Sequence, residues 1–176
     1  MTTVGHTLTG LAIAFAALPS GPDARRRRGL AVLCALAANA PDAPLPGWGH
    51  DAYHVSHSLF VNAAIILAFP LMLRGSDRAR RAVAGWRGYG VVAGAWMSHM
   101  LLDSFYNHGR GIAVFWPVSD AHLVLPIPWF STVRPPWRSA HNLQVFGIEL
   151  LVYGSVLLAA LAWRHHRTRH GQPGCG

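Results

Sequence analysis

The sequence contains few charged residues, few cysteines and no lysine. Charged side chains make up 12% of the 176 residues, whereas an ordinary globular domain has about 25%. Of the two cysteines, Cys34 lies in an apolar stretch and Cys175 in the tail, so a disulfide framework is not supported. Together with 52% hydrophobic residues, these shortages exclude an ordinary soluble domain and indicate a membrane protein.

Five apolar stretches predict an all-α integral membrane protein with five transmembrane or partly spanning helices. The stretches are 4–18, 29–40, 55–73, 88–105 and 143–163. The last is long enough to cross a bilayer, since a span takes about 20 residues. The third and fourth reach that length only by including polar residues, and the first two are short. We expect 1–170 to form a single helical domain and 171–176 a flexible tail.

Most of the arginines lie on alternate connections between these stretches. Segments 25–28, 74–87 and 164–169 hold twelve of the fifteen. Because arginine-rich loops favour the cytoplasm, we predict a cytoplasmic C-terminus and an external N-terminus. Topology and attraction to anionic lipid then explain the formal charge of +8, so we expect no nucleic-acid partner.

The external segment 107–142 has a different composition. It holds the remaining three arginines, several prolines, and Trp116, Trp129 and Trp137. Tryptophan is favoured at the membrane interface, and the segment is too irregular for a span. We therefore predict a folded Pro/Trp-rich lid on the external side.

Each apolar stretch brings ionisable side chains to the same predicted depth. With a rise of about 1.5 Å per helical residue, they lie between about 18 and 28 Å from the cytoplasmic arginine of their own helix. An ionised side chain in hydrocarbon costs several kcal/mol unless it is paired, solvated or bound to metal. We therefore predict one external site from the residues of this layer: His6, Asp42, His57, His99, Asp103 and Glu149.

Two motifs carry paired candidates. His99 and Asp103 are four residues apart and share one helix face; the alternative to metal ligation is a local hydrogen bond facing a water-filled gap. In "HVSHS", His54 and His57 are three residues apart, which predicts that both project from the same side at the start of the third helix. For His54, an interfacial position is the alternative.

The remaining candidates are single residues. Asp42 follows Pro41, which is also ordinary turn chemistry. His6 lies near the start of the first helix and is alternatively a cap. We predict a catalytic role for Glu149, as a general base, although a ligand or a counter-charge to a ligating histidine are alternatives. The mixture of nitrogen and oxygen ligands predicts zinc, with manganese or iron as alternatives.

Several blocks together resemble the YdjM-like, membrane-bound metal-dependent hydrolase family of bacterial inner membranes. In order they are "GHTLTG", "NAPDAPLPG", "HVSHSLF", "SHMLLDSFYNHG" and "FWPVSD", and they cover 3–120. Members are small polytopic proteins, and one branch is associated with LexA regulation. The resemblance implies an inner-membrane location and six metal-site candidates: His6, Asp42, His54, His57, His99 and Asp103.

The H-x-x-x-D spacing is also similar to that of the zinc phospholipase C group, an analogy of chemistry alone. One departure concerns the third block, where His54 is followed by Val55 instead of the arginine often found there. This puts anion binding at that position in doubt, and Arg110 or Arg138 of the lid is a substitute.

These observations predict a hydrolase in which metal-activated water attacks an ester or phosphoester of a lipid or lipid-linked substrate. An ion or proton pathway is one alternative, but it predicts polar residues through the whole membrane thickness rather than in one layer. A non-catalytic membrane protein in which metal holds short helices together is another.

Overall fold

The computed structural model describes residues 1–17, 24–50, 52–72, 83, 85–106, 111–125, 127 and 129–170. Its described residues form helices and irregular segments with no named strand, which confirms the all-α prediction. The predicted tail and the arginines at 74–81 lie outside the described residues. The helices are α1 (Thr3–Ala17), α2 (Ala24–Asn39), the 3₁₀ helix η1 (Ala40–Asp42), α3 (Tyr53–Ser56), α4 (Leu59–Met72), α5 (Gly85–Asp103) and α6 (Ala140–His170).

Of the described helices, one is both long and apolar enough to cross a membrane. It is α6, within which Ala140–Arg169 meets both conditions. Its outward face is apolar, with Leu143 74% and Leu151 71% exposed. By contrast, the 15 residues of α1 extend only about 22 Å, less than the hydrocarbon thickness of about 30 Å. Five complete spans are therefore not confirmed.

Small residues let the helices approach closely. A side chain on Gly10 of α1 would place its Cβ 2.5 Å from the backbone oxygen of Cys34 in α2. Glycine is therefore required at this crossing, as at many helix contacts in membranes. Around it lies an apolar core of small and medium side chains from α1, α2 and α5: Ala14, Leu30, Ala31, Cys34, Ala37, Val92 and Ala95.

The third apolar stretch is broken where a continuous helix was predicted. Helix α3 ends at Ser56 and α4 begins at Leu59. The Leu59 amide donates to the carbonyl oxygen of Val114 at 2.8 Å, and the Ser58 hydroxyl donates to the carbonyl oxygen of Trp116. These bonds to the lid replace intrahelical ones, as serine side chains and their neighbours often do at helix ends.

This break is held by the buried side chain of Asn62. Its amide nitrogen donates to the carbonyl oxygens of Ser56 and Ser58, both at 2.7 Å. Its amide oxygen accepts a hydrogen bond from Trp96 Nε1 on α5 at 2.6 Å. Asn62 thus fixes the two residues that flank His57 and ties them to α5.

The described part of the predicted lid is folded against the end of α5. Its Leu125 and Ile127 amides donate to the carbonyl oxygens of Ser104 and Phe105. The ring of Tyr106 stacks on that of Phe130 in the lid, and the Tyr106 hydroxyl donates a hydrogen bond to the Tyr153 hydroxyl of α6 at 3.2 Å. Burial raises the pKa of Tyr106, so its hydroxyl keeps the proton that it donates.

We predict that Asn62→Leu lowers the free energy of unfolding by about 2–3 kcal/mol, because it removes the side-chain partner of the Ser56 carbonyl oxygen and of the Trp96 N–H. Chemical unfolding in mixed micelles measures the change. Gln144→Leu, at an exposed amide on α6, is the control and should change stability little. Equal stability of the two variants would contradict the assigned role of Asn62.

Candidate metal centre

The last turn of α5 supplies two site residues on one face. His99 Nε2 lies 3.5 Å from Asp103 Oδ2, which confirms that the four-residue spacing brings the side chains together. Both side chains are buried, at 0% and 2% exposure. A carboxylate in this position requires a compensating charge or hydrogen bonds.

His57 reaches the same point from the break between α3 and α4. Its Nε2 atom lies 3.1 Å from His99 Nε2 and 3.5 Å from both Asp103 Oδ2 and Asp42 Oδ1. The side chain is fully buried. Because His57 follows the end of α3 with φ −106° and ψ 13°, its direction is set by the break rather than by a helix face.

His6 enters from α1. Its ring stacks on that of His99, with centroids 3.7 Å apart and planes at 11°, and its Nε2 atom lies 3.2 Å from Asp103 Oδ1. The α-amino nitrogen of Met1 is 2.8 Å from the same carboxylate oxygen. Asp103 is therefore the residue on which α1 and α5 converge.

Asp42 ends η1, where Pro41 and the tighter 3₁₀ turn finish the second helix. Its Oδ1 atom lies 3.7 Å from His99 Nε2. With 19% of its side chain exposed, Asp42 is the most accessible member of the group. His50 lies over it, with Nε2 3.8 Å from the carboxylate and the side chain 78% exposed. The site therefore opens toward Asp42 and His50.

His50 lies in the loop between η1 and α3. The loop returns to Asp42 because Gly49 has φ +59° and lies so close to Ala43 that an added Cβ would be 2.5 Å from its carbonyl oxygen. The signal in the sequence is "GWGH", whose glycines allow such a turn. It does not by itself indicate what the histidine faces.

The hydrogen bonds of two imidazoles determine which nitrogen faces the site. His99 Nδ1 lies 2.8 Å from the carbonyl oxygen of Ala38, and His57 Nδ1 lies 3.2 Å from that of Tyr53. Since a carbonyl oxygen only accepts, we assign the proton of His99 to Nδ1, so its Nε2 atom presents a lone pair. His57 Nδ1 also lies 2.8 Å from the Ser56 hydroxyl oxygen, which can donate or accept, and its Nε2 atom lies 3.1 Å from that of His99.

These electron-pair donors fit a metal cation. Among the described residues, one ligand atom from each of His6, Asp42, His99 and Asp103 lies within 4.8 Å of the others, and His57 Nε2 contacts three of these four. Both ring nitrogens of His6 and the Oδ1 atom of Asp42 are buried without a hydrogen bond. Histidine nitrogens with carboxylate oxygens form the donor set of zinc, manganese and iron sites.

The structure places two predicted residues elsewhere. His54 is exposed and packs edge-on against Trp116, with centroids 5.0 Å apart; it lies outside the group of potential ligands, and its role as a ligand stays a prediction. Glu149 is buried in α6, where its carboxylate accepts hydrogen bonds from the amide and hydroxyl of Thr2. It lies outside the group of four potential ligands, and its catalytic role stays a prediction.

The fold and the site together define a helical membrane protein with a buried group of histidines and aspartates suited to a metal ion. The chain belongs to the YdjM family: the family model described as YdjM inner membrane protein matches residues 1–170. No curated protein and no solved structure matched the chain.

We predict that Asp103→Asn lowers metal affinity by at least tenfold, because loss of even an outer-shell partner costs about 10–100-fold. The amide keeps the shape of the side chain and removes its charge. Metal titration followed by elemental analysis of the detergent-purified protein measures the effect. Asp120→Asn, at an exposed lid aspartate, should bind metal as the unaltered protein does. Equal affinity in both variants, or no transition metal in the unaltered protein, would argue against the centre.

Proposed function

We propose that this inner-membrane protein is a metal-dependent hydrolase acting on an ester or phosphoester of a lipid or lipid-linked substrate. The observation that carries the proposal is the convergence of His6, Asp42, His57, His99 and Asp103, whose ring nitrogens and carboxylate oxygens lie within 3.1–3.7 Å of one another in successive pairs. Zinc is the proposed ion. When bound, it supplies Lewis-acid activation of water and stabilises negative charge on the substrate.

The residues of the chain have distinct proposed tasks. Asp103 and Asp42 supply the negative charge that holds the ion. His99 is oriented by the Nδ1 bond to the Ala38 carbonyl, and His57 by Nδ1 contacts with the Ser56 hydroxyl and the Tyr53 carbonyl. Hydrogen bonds to the second nitrogen of a metal-binding imidazole orient the ring and raise its basicity. His6, on α1, is the fifth residue proposed to surround the ion.

Access to the centre favours a substrate whose head group meets Asp42. The other acidic ligand, Asp103, is 2% exposed, so a polar group reaches the centre past Asp42 and the exposed His50. His50 is placed to contact such a head group, and its imidazole is suited to donating a hydrogen bond or accepting a proton. His50 is thus a further candidate for the anion contact expected of Arg110 or Arg138; Arg138 is exposed, and Arg110 lies outside the described residues.

Glu149 has a positioning role in this proposal. Its two carboxylate bonds to Thr2 hold the first turn of α1, and a negative charge there is favoured by the helix dipole. A Cβ on Gly5 would lie 2.9 Å from the Glu149 carboxylate, so α1 and α6 are in close contact at this level. Glu149 thereby positions α1, which carries His6.

The hydrolase proposal predicts metal-dependent turnover. Zinc-loaded protein is reconstituted in vesicles of phosphatidylglycerol, phosphatidylethanolamine and phosphatidic acid, and released head groups, phosphate and fatty acids are measured by mass spectrometry. We expect product formation that a chelator abolishes and that Asp103→Asn reduces by at least about 100-fold, the scale on which charge-stabilising groups act.

Asp120→Asn is the matched control and should keep full activity. Bound zinc without turnover on any of these lipids would favour the non-catalytic role in which metal holds the helices together.

For Glu149→Gln we expect metal content and turnover to stay within a few-fold of the unaltered protein, because the glutamine carbonyl still accepts the Thr2 amide. Glu149→Leu should destabilise the chain by about 1–3 kcal/mol, since it leaves the buried Thr2 groups without a partner. Turnover and chemical unfolding are compared for both variants. Loss of turnover in Glu149→Gln with metal retained would instead assign Glu149 as the general base.

A further inference from the structure

An apolar cleft is lined by residues of α2, α4 and α5. Its volume is about 200 Å³, and every residue that lines it is apolar or aromatic. The one hydroxyl among them, on Tyr89, donates to the carbonyl oxygen of Ile66. The cleft is open at its rim, where Leu36 is 62% exposed.

The cleft and the metal centre share a wall at the end of α2. Ala37 and Ala40 line the cleft, while the carbonyl oxygen of Ala38 between them accepts the hydrogen bond from His99. On α5, Trp96 lines the cleft one helical turn before His99. The end of the cleft at Ala40 is therefore two residues from Asp42, the member of the centre through which the site opens.

The volume and the apolar lining of the cleft favour a narrow apolar ligand. An α-helix with its side chains is about 10–12 Å across, which is too wide for a space of this volume. An engineered apolar cavity of about 150 Å³ excludes water and binds benzene, so hydrocarbon is favoured over water here. A single acyl chain entering from the bilayer over Leu36 fits both constraints.

We propose that this cleft holds one acyl chain of the lipid whose ester or phosphoester is presented to the metal centre. The inference rests on the proposed hydrolase function and adds to it the substrate class, a membrane lipid with at least one acyl chain. The head group passes Asp42 and His50, and the chain extends past Ala40 and Trp96 between α2 and α4.

The binding test uses a probe that does not require turnover. Protein is reconstituted in phosphatidylglycerol vesicles containing phosphatidylglycerol with a diazirine in one acyl chain, illuminated and digested, and adducts are located by mass spectrometry. We expect adducts on Ile66, Ala93 and Trp96 to exceed those on the exposed, membrane-facing Leu151 of α6.

Two variants narrow the cleft. Ala93→Phe fills it from α5, and Leu36→Trp narrows its exposed rim. Each should lower cleft adducts by about tenfold, the effect of losing contact with roughly two methylene groups. Ala64→Phe is the matched control, since Ala64 is exposed on α4 and does not line the cleft. Zinc content, measured in all variants, should not change.

The outcomes separate the two proposals. Adducts spread evenly over exposed apolar residues, or unchanged by both narrowing variants, would overturn the acyl-chain site while leaving a metal-loaded hydrolase intact. Cleft adducts in a protein that binds no zinc would keep the cleft as a lipid site and overturn the hydrolase. Zinc-dependent turnover lost in Ala93→Phe and kept in Ala64→Phe would support both proposals.

Discussion

The gathering of a buried and a half-buried aspartate, Asp103 and Asp42, among three buried histidines is the constraint on which the rest of this structure depends. Removing a carboxylate from water is costly unless another charge or several hydrogen bonds replace the solvent. Asp103 has the Nε2 atoms of His6 and His57 within 3.5 Å, and the α-amino nitrogen of Met1 lies 2.8 Å from its Oδ1 atom. A divalent cation satisfies all of these groups at once, which is why metal and folding are coupled in such sites.

The irregular parts of the chain position the aspartates and histidines of this group. Helix α2 ends in a 3₁₀ turn that places Asp42, and the third apolar stretch breaks so that His57 is directed inward. Asn62 then holds both sides of the break against Trp96 of α5. The short helices leave room at their ends for polar side chains, while the long α6 supplies the membrane-spanning apolar surface.

Sequence patterns predict the regular part of this arrangement. The spacing of His99 and Asp103 is sufficient, because both lie on one uninterrupted helix. The predicted common depth also groups His6, Asp42 and His57 with them, since each lies near a helix end. Depth does not specify lateral position, which explains why Glu149 was placed in the same group although it contacts Thr2. Apolar periodicity also does not reveal the break between α3 and α4, which is stabilised by bonds from Ser58 and Leu59 to the lid and leaves His54 exposed while His57 is buried.

Helix α2 is held in register at two points one turn apart. Gly10 of α1 packs against the backbone at Cys34, and the carbonyl oxygen of Ala38 accepts a hydrogen bond from His99 Nδ1. Adding or deleting one residue between them would rotate one contact by about 100° relative to the other. The length of the segment from Cys34 to Ala38 is therefore fixed, because the packing of α1 on α2 and the orientation of the His99 imidazole depend on the same helical turn. Insertions and deletions in α2 are expected outside this segment.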